Sequence, residues 1–356
     1  MSSLSVGIVG LPNVGKSTLF NALQKKQMAA VANFPFCTIE PNTGIVPVPD
    51  IRVDVLTKIS KSEKKIYTTI EFTDIAGLVK GAHEGKGLGN QFLSHIREVD
   101  LIVEVVREFT QENVVHIEGR IDPEEDKEII NLELVMADLS TVEKRLETLK
   151  KKNRTGSDKL LTKTIATLEK AYNALNEEKA LREVLWETEE IKILKEINPL
   201  TLKPLIYVVN IDENDIGKTQ DLNDVLYLSA KTEAEIAILP EEESQEYLKE
   251  FNLNRTGLDK LIITAYRKLG LITFLTTGPD ESRAWTVKQG TKAPQAAGVI
   301  HTDFEKAFIK AEIVDYNKLI QAGGFEKSRE EGFMRLEGKD YVIKDGDVVY
   351  FRVQKS

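Results

Sequence analysis

The sequence is poor in cysteine, in long apolar runs and in net positive charge. Cys37 is the only cysteine among 356 residues, which excludes an intramolecular disulfide and favours a reducing compartment. No apolar run approaches the roughly 18–20 residues of a membrane span. The N-terminus also lacks the basic and apolar regions of a signal peptide. We therefore expect a cytoplasmic protein without a membrane partner.

The charge balance restricts the partners that the chain can bind. The formal net charge is −9, so a nucleic-acid contact requires a local basic patch, and no DNA partner is expected. The length predicts about two to three domains with ample room for a core.

A phosphate-binding signature lies close to the N-terminus. Gly10, Gly15, Lys16 and Ser17 fit the pattern G-x-x-x-x-G-K-[ST] between a predicted strand, residues 4–9, and a predicted helix. The loop N–H groups and the helix N-terminus can hold phosphates, while Lys16 reaches the β- and γ-phosphates and Ser17 ligates Mg²⁺. A chance match in a surface loop is the alternative, against which the flanking strand and helix count. The predicted nucleotide contacts here are Asn13, Val14, Gly15, Lys16, Ser17 and Thr18.

Two further segments are typical of nucleotide switches. Thr38 follows Lys16 by about twenty residues, a distance that suits a threonine sensing the γ-phosphate through Mg²⁺. Asp74 ends a predicted strand, residues 69–74, and is followed by Gly77, whose N–H can sense the γ-phosphate. Taken alone, such a threonine is a turn residue and such an aspartate a helix N-cap. With the phosphate loop upstream, we expect Ser17, Thr38 and Asp74 to organise the metal.

The pattern becomes helical after residue 121. Residues 124–152 and the run from 161 to about 197 carry apolar positions near helical spacing, and residues 153–157 break the pattern. We predict an antiparallel helical hairpin, coiled-coil in character, inserted into the nucleotide-binding domain. Its tip, Lys150–Arg154, is basic. This patch is either a solvated face or a contact for RNA or another acidic surface.

The remaining chain completes an α/β domain and adds a smaller one. Predicted strands at 203–210 and 226–231 and a helix at 258–269 indicate a doubly wound, mostly parallel sheet, with ligand at the carboxyl ends of the strands. Beyond residue 271 a small α+β domain is expected. Its predicted strands are 273–275, 284–287, 341–344 and 348–353, and its predicted helices are 303–310 and 315–320. His301 is interpreted as a turn or cap residue.

The guanine-reading pattern Asn-Lys-x-Asp is altered here. The corresponding residues are Asn210, Ile211, Asp212 and Glu213, so the lysine is replaced and the fourth acid is longer. A longer carboxylate is less well placed to accept from N1–H and N2–H₂ of guanine, which weakens a preference for guanine. Chemistry alone does not convert this into a preference for adenine.

Together, these motifs resemble the Obg-like ATPase (YchF) family over essentially the whole chain, and residues 35–42, Pro-Phe-Cys-Thr-Ile-Glu-Pro-Asn, are the most specific stretch. The resemblance implies a P-loop G domain (1–121 and 199–271), an inserted coiled coil (122–198) and a C-terminal TGS domain of β-grasp, ubiquitin-like fold (272–356). It also implies ATP as the substrate in preference to GTP, slow hydrolysis, and association with the ribosome or its RNA. The base would be held by Asn210, Ile211, Glu213, Ser229, Ala230 and Lys231.

Two positions qualify the mechanism that the resemblance implies. Leu78 stands where many small GTPases have a glutamine that orients the attacking water, so the orienting group must come from elsewhere. A K⁺ ion, the glycine-rich loop or a partner could supply it, and similar K⁺-stimulated proteins use an asparagine at the position of Asn13 to help hold the ion. His83 is a weaker catalytic candidate than Lys16 and Gly77. Glu104 replaces a histidine frequent in the family. A GTP-preferring GTPase and a nucleotide-responsive scaffold with incidental hydrolysis are the alternative functions.

Overall fold

The computed structural model describes residues 4–30, 42–75, 88–110, 120–153, 158–222 and 224–354. The strands are β1 (Ser5–Val9), β2 (Thr43–Pro47), β3 (Lys64–Ile66), β4 (Thr69–Asp74), β5 (Leu101–Arg107), β6 (Leu205–Asn210), β7 (Val225–Leu228), β8 (Leu271–Thr277), β9 (Glu281–Lys288), β10 (Phe308–Asp315), β11 (Arg335–Glu337) and β12 (Asp347–Val353). The helices are α1 (Lys16–Ala30), α2 (Ile51–Ser60), α3 (Leu88–Glu98), α4 (Pro123–Lys152), α5 (Lys159–Asn176), α6 (Thr188–Ile197), α7 (Ala230–Ile236), α8 (Glu241–Glu250), α9 (Gly257–Lys268), α10 (Ala293–Ile300), α11 (Thr302–Lys306), α12 (Tyr316–Ala322) and α13 (Phe325–Glu330).

The chain forms two compact units. The first consists of Met1–Lys26, Ile39–Gly44 and Glu71–Leu258, and the second of Gln27–Thr38, Ile45–Ile70 and Asp259–Ser356. Residues 45–70, which are expected from the sequence to belong to the nucleotide-binding domain, thus group with the C-terminal residues. The reason is apolar packing, because Val53 and Leu56 of α2 share a core cluster with residues of β8, β9, β10 and β12.

The first sheet has the strand order β2-β4-β1-β5-β6-β7. β1 pairs in parallel with β4 and β5, β5 with β6, and β6 with β7. Every residue of β5 is buried, as expected for a parallel strand that is covered on both faces. Parallel pairing brings the carboxyl ends of these strands to one edge of the sheet, where Asp74, Arg107 and Asn210 are located.

The described residues of the predicted hairpin segment form three α-helices rather than two. α4 begins at Pro123, and the side chain of the preceding Asp122 caps the helix by accepting from two backbone N–H groups. Apolar residues of α4, α5 and α6 share one core. The prediction of a continuous second run to about residue 197 is wrong. α5 ends at Asn176, Glu178 adopts a left-handed φ of 60°, and the Trp186 indole donates to Leu181 O at 2.7 Å, so the chain turns before α6.

The second sheet is mixed and has the order β11-β10-β12-β8-β9-β3. Two predictions here are wrong. The helix expected over 303–310 stops at Lys306, because from Phe308 the chain pairs with β12. The strand expected over 341–344 forms only a single bridge at Val342, since Lys344 N and the Tyr341 hydroxyl donate to the Asp347 carboxylate.

His301 is the N-cap of α11, and its Nδ1 accepts from Asp303 N at 3.3 Å. Across the described ranges, no helix combines the length and the apolar character that crossing a bilayer requires.

Candidate nucleotide-binding site

The loop between β1 and α1 can be built only with glycine at two positions. Gly10 has a φ of 153°, and a Cβ there would lie 2.4 Å from Val105 O. Gly15 has a φ of 100°, and a Cβ would lie 2.2 Å from Asn210 Nδ2. Asn13 also has a positive φ, of 66°, which asparagine tolerates better than most residues. The loop backbone therefore lies closely against the ends of β5 and β6.

Lys16 and Asp74 form the charged centre of this edge of the sheet. Lys16 is buried, and its Nζ donates to Leu11 O at 2.9 Å. Burial lowers the pKa of Lys16, and the Asp74 carboxylate acts in the opposite direction. Burial likewise raises the pKa of Asp74, which the Lys16 ammonium partly offsets. Each charge thus stabilises the other in a poorly solvated place.

The donor atoms near the loop fit a hard divalent cation. Asp74 Oδ1 is buried and has no hydrogen-bond partner among the described residues. Ser17 is exposed in the first turn of α1, as is Thr18. Carboxylate and hydroxyl oxygens are ligands that Mg²⁺ accepts, usually beside water and phosphate oxygens. Within the described ranges, no group of three or more His, Cys, Asp or Glu could hold a metal ion, so a Mg²⁺ here would depend on few protein ligands.

Asn210 joins the two halves of the candidate site. It ends β6 and is buried. Its Nδ2 donates to Val14 O at 2.9 Å, and its Oδ1 accepts from Ala230 N at 2.9 Å. The side-chain amide thus holds the phosphate loop against the segment after β7. Val14, Asn210 and Ala230 are predicted separately from the sequence, and the structure brings them into direct contact.

The other predicted base residues differ in exposure. Ile211 is buried, and its N–H donates to Leu228 O at 3.0 Å, so the replacement for the usual lysine is part of the core. Glu213 is exposed at the start of a short 3₁₀ turn. Ser229 is buried at the N-cap position of α7 without a capping hydrogen bond from its side chain, whereas Lys231 is exposed.

Several predicted residues lie outside the described ranges. These are Thr38, Gly77, Leu78, His83 and Arg154.

The residues that follow β5 are not among those predicted from the sequence. Arg107 is buried at the end of the strand, where its Nε donates to Phe109 O at 3.1 Å and its guanidinium lies 4.3 Å from the centre of the Phe109 ring. Thr110 donates to Asp212. The sequence does contain a signal for Arg107, because a charged residue at the end of an apolar strand can be recognised from the pattern alone. The Thr110–Asp212 contact has no such signal, because it joins residues 102 positions apart.

A glycine-rich loop between strand and helix, a buried lysine, a strand-end aspartate and a parallel sheet define a P-loop nucleotide hydrolase. Comparison with family models agrees. A model described as "50S ribosome-binding GTPase" matches residues 5–139, and the YchF-GTPase C-terminal model, described as "Protein of unknown function (DUF933)", matches residues 271–354.

Relatives match along the whole chain. A Bacillus subtilis (strain 168) protein named "Ribosome-binding ATPase YchF" is 48% identical, with 98% of this chain and 99% of the relative covered. The Caenorhabditis elegans "Obg-like ATPase 1" is 43% identical over 99% of this chain and 92% of the relative. The solved structure of the Schizosaccharomyces pombe YchF GTPase has a TM-score of 0.89 and 40% identity, with 98% of both chains covered. The chain belongs to the YchF family.

Proposed function

We propose that this chain is a Mg²⁺-dependent ATPase that binds the ribosome under the control of its nucleotide. The observation that carries the proposal is the Asn210 amide, which links the phosphate loop to the segment proposed to hold the base. The ribosome is proposed as a partner because the names of relatives include "Ribosome-binding ATPase". Such a partner would place the protein in the cytoplasm.

The phosphate side of the site follows from charge and position. Lys16 and the loop N–H groups bind the phosphates, while Ser17, Thr38 and Asp74 hold Mg²⁺, in part through water. Bound Mg²⁺ supplies neutralisation of the charge that develops on the phosphate oxygens. The Gly77 N–H senses the γ-phosphate. In the structure the Lys16 ammonium and the Asp74 carboxylate stabilise each other electrostatically, which supports placing a phosphate-binding lysine and a metal carboxylate at one site.

The base side uses Asn210, Ile211 and Glu213 together with the segment Ser229–Lys231. We infer that ATP is preferred over GTP. A buried isoleucine replaces the lysine of the guanine motif and Glu213 is a longer acid at its fourth position, which weakens the recognition of guanine. The names of the relatives as ATPases support the same preference.

Hydrolysis is expected to be slow. Leu78 is aliphatic and cannot orient the attacking water, so that task falls to K⁺ held with the help of Asn13, to the glycine-rich segment with His83, or to a partner. Asn13 is an exposed residue of the phosphate loop, so its side chain is accessible to an ion beside the phosphates.

Docking is assigned to the parts outside the nucleotide-binding domain (1–121 and 199–271). Residues 122–198 form the coiled-coil insertion, with a basic tip at Lys150–Arg154, and residues 272–356 form the TGS domain. The mixed sheet with the alanine-rich α10 packed on it is compatible with a β-grasp fold. At the tip, Lys150 pairs with Glu169 at 2.7 Å and Lys151 lies 3.8 Å from Glu147, so part of the positive charge is already neutralised.

The principal test is competition binding of ATP against GTP with Mg²⁺, in the wild type and in Lys16→Ala. We expect tighter binding of ATP, and loss of nucleotide binding and hydrolysis in the variant with the fold retained. Lys58→Ala, which removes a lysine of α2 far from the phosphate loop in sequence, is the matched control. Normal ATP hydrolysis by Lys16→Ala would overturn the mechanism.

A GTP-preferring enzyme is the second candidate, favoured by the family description "50S ribosome-binding GTPase" and by the name "YchF GTPase" of the Schizosaccharomyces pombe protein. A large excess affinity for GTP in the same competition would establish it.

A nucleotide-responsive scaffold is the third candidate, favoured by Leu78 at the water-orienting position. Ribosome binding that follows nucleotide occupancy, yet persists when hydrolysis is abolished, would establish it.

The basic tip is tested by changing Lys150, Lys151 and Lys152 to glutamate and measuring ribosome or RNA affinity. Weaker binding with a smaller salt dependence is expected. Lys192→Glu with Lys195→Glu on α6 is the control, since these lysines are also exposed helix residues of the insertion. Unchanged affinity would remove the tip from the proposal.

A further inference from the structure

The segment after β5 is hydrogen-bonded to the segment that ends β6. Glu108 N and Phe109 N both donate to Asn210 O, at 2.9 and 3.1 Å. Just beyond them, the N–H and the hydroxyl of Thr110 both donate to Asp212 Oδ2, each at 2.8 Å. We call the pair of bonds between Thr110 and Asp212 the strand-end clamp. It extends the contact between the two segments past the end of the sheet.

The strand-end clamp determines which acid of the base motif is available. Asp212 and Glu213 are adjacent, and the sequence alone does not say which carboxylate faces a ligand. In the structure Asp212 is occupied by two donors, whereas Glu213 is exposed. Both bonds go to Oδ2 of Asp212, and charge-assisted hydrogen bonds are strong, so this carboxylate is already held by residue 110.

Asp212 also sets the conformation in which Glu213 is presented. It is the N-cap of the 3₁₀ turn Glu213–Asp215 with φ −67° and ψ 151°, and its carbonyl accepts from Asp215 N at 3.0 Å. One residue therefore holds the segment 108–110 with its side chain and starts the turn of Glu213 with its backbone.

We propose that Asp212 is a positioning residue for the base, acting through the strand-end clamp. It holds residues 108–110 beside Asn210 and fixes the direction of Glu213, so it contributes to the affinity for the nucleoside and not to the binding of the phosphates. This inference rests on the proposed function, because it assumes that Asn210 and Glu213 lie against a base.

The test compares binding of ATP with binding of inorganic tripolyphosphate, both with Mg²⁺, in the full-length protein. Asp212→Ala removes the acceptor and is expected to weaken ATP binding about tenfold, with tripolyphosphate binding and kcat unchanged. Asp212→Asn keeps an acceptor oxygen and should restore affinity to within about twofold. Asp215→Ala, which removes an exposed acid of the same turn, is the matched control.

Wild-type ATP affinity in Asp212→Ala would overturn the inference, as would an equal loss for ATP and tripolyphosphate. If Asp212→Ala fails to fold, Thr110→Val removes only the hydroxyl donor and should weaken ATP binding about threefold, and no change would again overturn it. Lys16→Ala in the same assay should lose both ligands. If that variant loses neither, the proposed function fails, whatever Asp212 does.

Discussion

Two buried carboxylates of the first unit differ in their hydrogen bonding. Asp138 of α4 is fully buried, and it accepts from Leu200 N at 2.9 Å and from the N–H and hydroxyl of Thr201 at 2.7 Å each. Glu104 in β5 is equally buried, but neither of its oxygens has a hydrogen-bond partner among the described residues.

The difference follows from the elements that surround each acid. Leu200 and Thr201 begin a 3₁₀ turn, whose first N–H groups have no partner within the turn and can bind a carboxylate. Around Glu104 the N–H groups of neighbouring strands are used in the sheet. Asp138 therefore anchors the helical insertion to the turn before β6. Glu104, in contrast, lowers the stability of the sheet, because its buried carboxylate has no hydrogen-bond partner among the described residues.

The largest effect is expected from Asp138→Ala. It leaves three donors without their acceptor, and removing one partner of a buried charged network costs about 3–5 kcal/mol. Urea denaturation followed by circular dichroism measures this loss. Glu143→Ala, at an exposed position of the same helix, should stay within about 0.5 kcal/mol. Equal stability of the two variants would contradict the anchoring role.

Glu104→Gln tests the other half of the comparison through pH. Burial raises the pKa of Glu104 well above its ordinary value of 4.5, although Arg182 and Lys127 lower it and Asp126 raises it further. A raised folded-state pKa gives stability that is complete below about pH 4.5 and is lost as pH rises toward the folded pKa. The pKa of the neighbouring Tyr207 is raised by its burial and by Glu104.

Glutamine does not titrate, so the variant should become progressively more stable relative to the wild type as pH rises from about 4.5 toward 7. Free energies of unfolding across this range measure the gain, and Glu147→Gln, at an exposed position, should follow the wild type. Parallel pH profiles for Glu104→Gln and the wild type would show that Glu104 is solvated or paired.

Thr201→Val should have the smallest effect. The hydroxyl donates to Asp138 and accepts from Leu181 N at 3.2 Å, while both backbone donors to Asp138 remain, so a loss of about 1 kcal/mol is expected. Combined with Asp138→Ala, the losses should be smaller than their sum, because both changes remove the same bond. Strict additivity in urea denaturation would show that the two residues act separately.

Local sequence patterns predict those helices and strands whose formation depends mainly on residues close together in the sequence. The strand expected over residues 69–74 agrees with β4, and the one expected over 4–9 agrees with β1 to within one residue. The second helical run differs from its prediction, because its apolar spacing continues across a turn that is held by the Trp186–Leu181 contact.

The surroundings of individual polar side chains are less predictable. Asp138 lies in a helix rich in charged residues, and nothing adjacent in sequence shows that Leu200 and Thr201 supply its donors. Residues 45–70 follow the phosphate loop in the chain and are expected to continue the nucleotide-binding domain, although their apolar side chains pack with the C-terminal residues.

Sequence alone established the class and the family. A phosphate loop depends on glycines and a lysine at fixed spacing, and parallel strands depend on apolar runs, both of which are local properties of the chain. Only the folded chain showed that Asn210 bridges Val14 and Ala230, that Asp212 is occupied by Thr110, and that Glu104 lacks a partner among the described residues. These outcomes depend on contacts between distant parts of the chain, such as the one between Asn210 and a residue 196 positions away, and no local pattern encodes them.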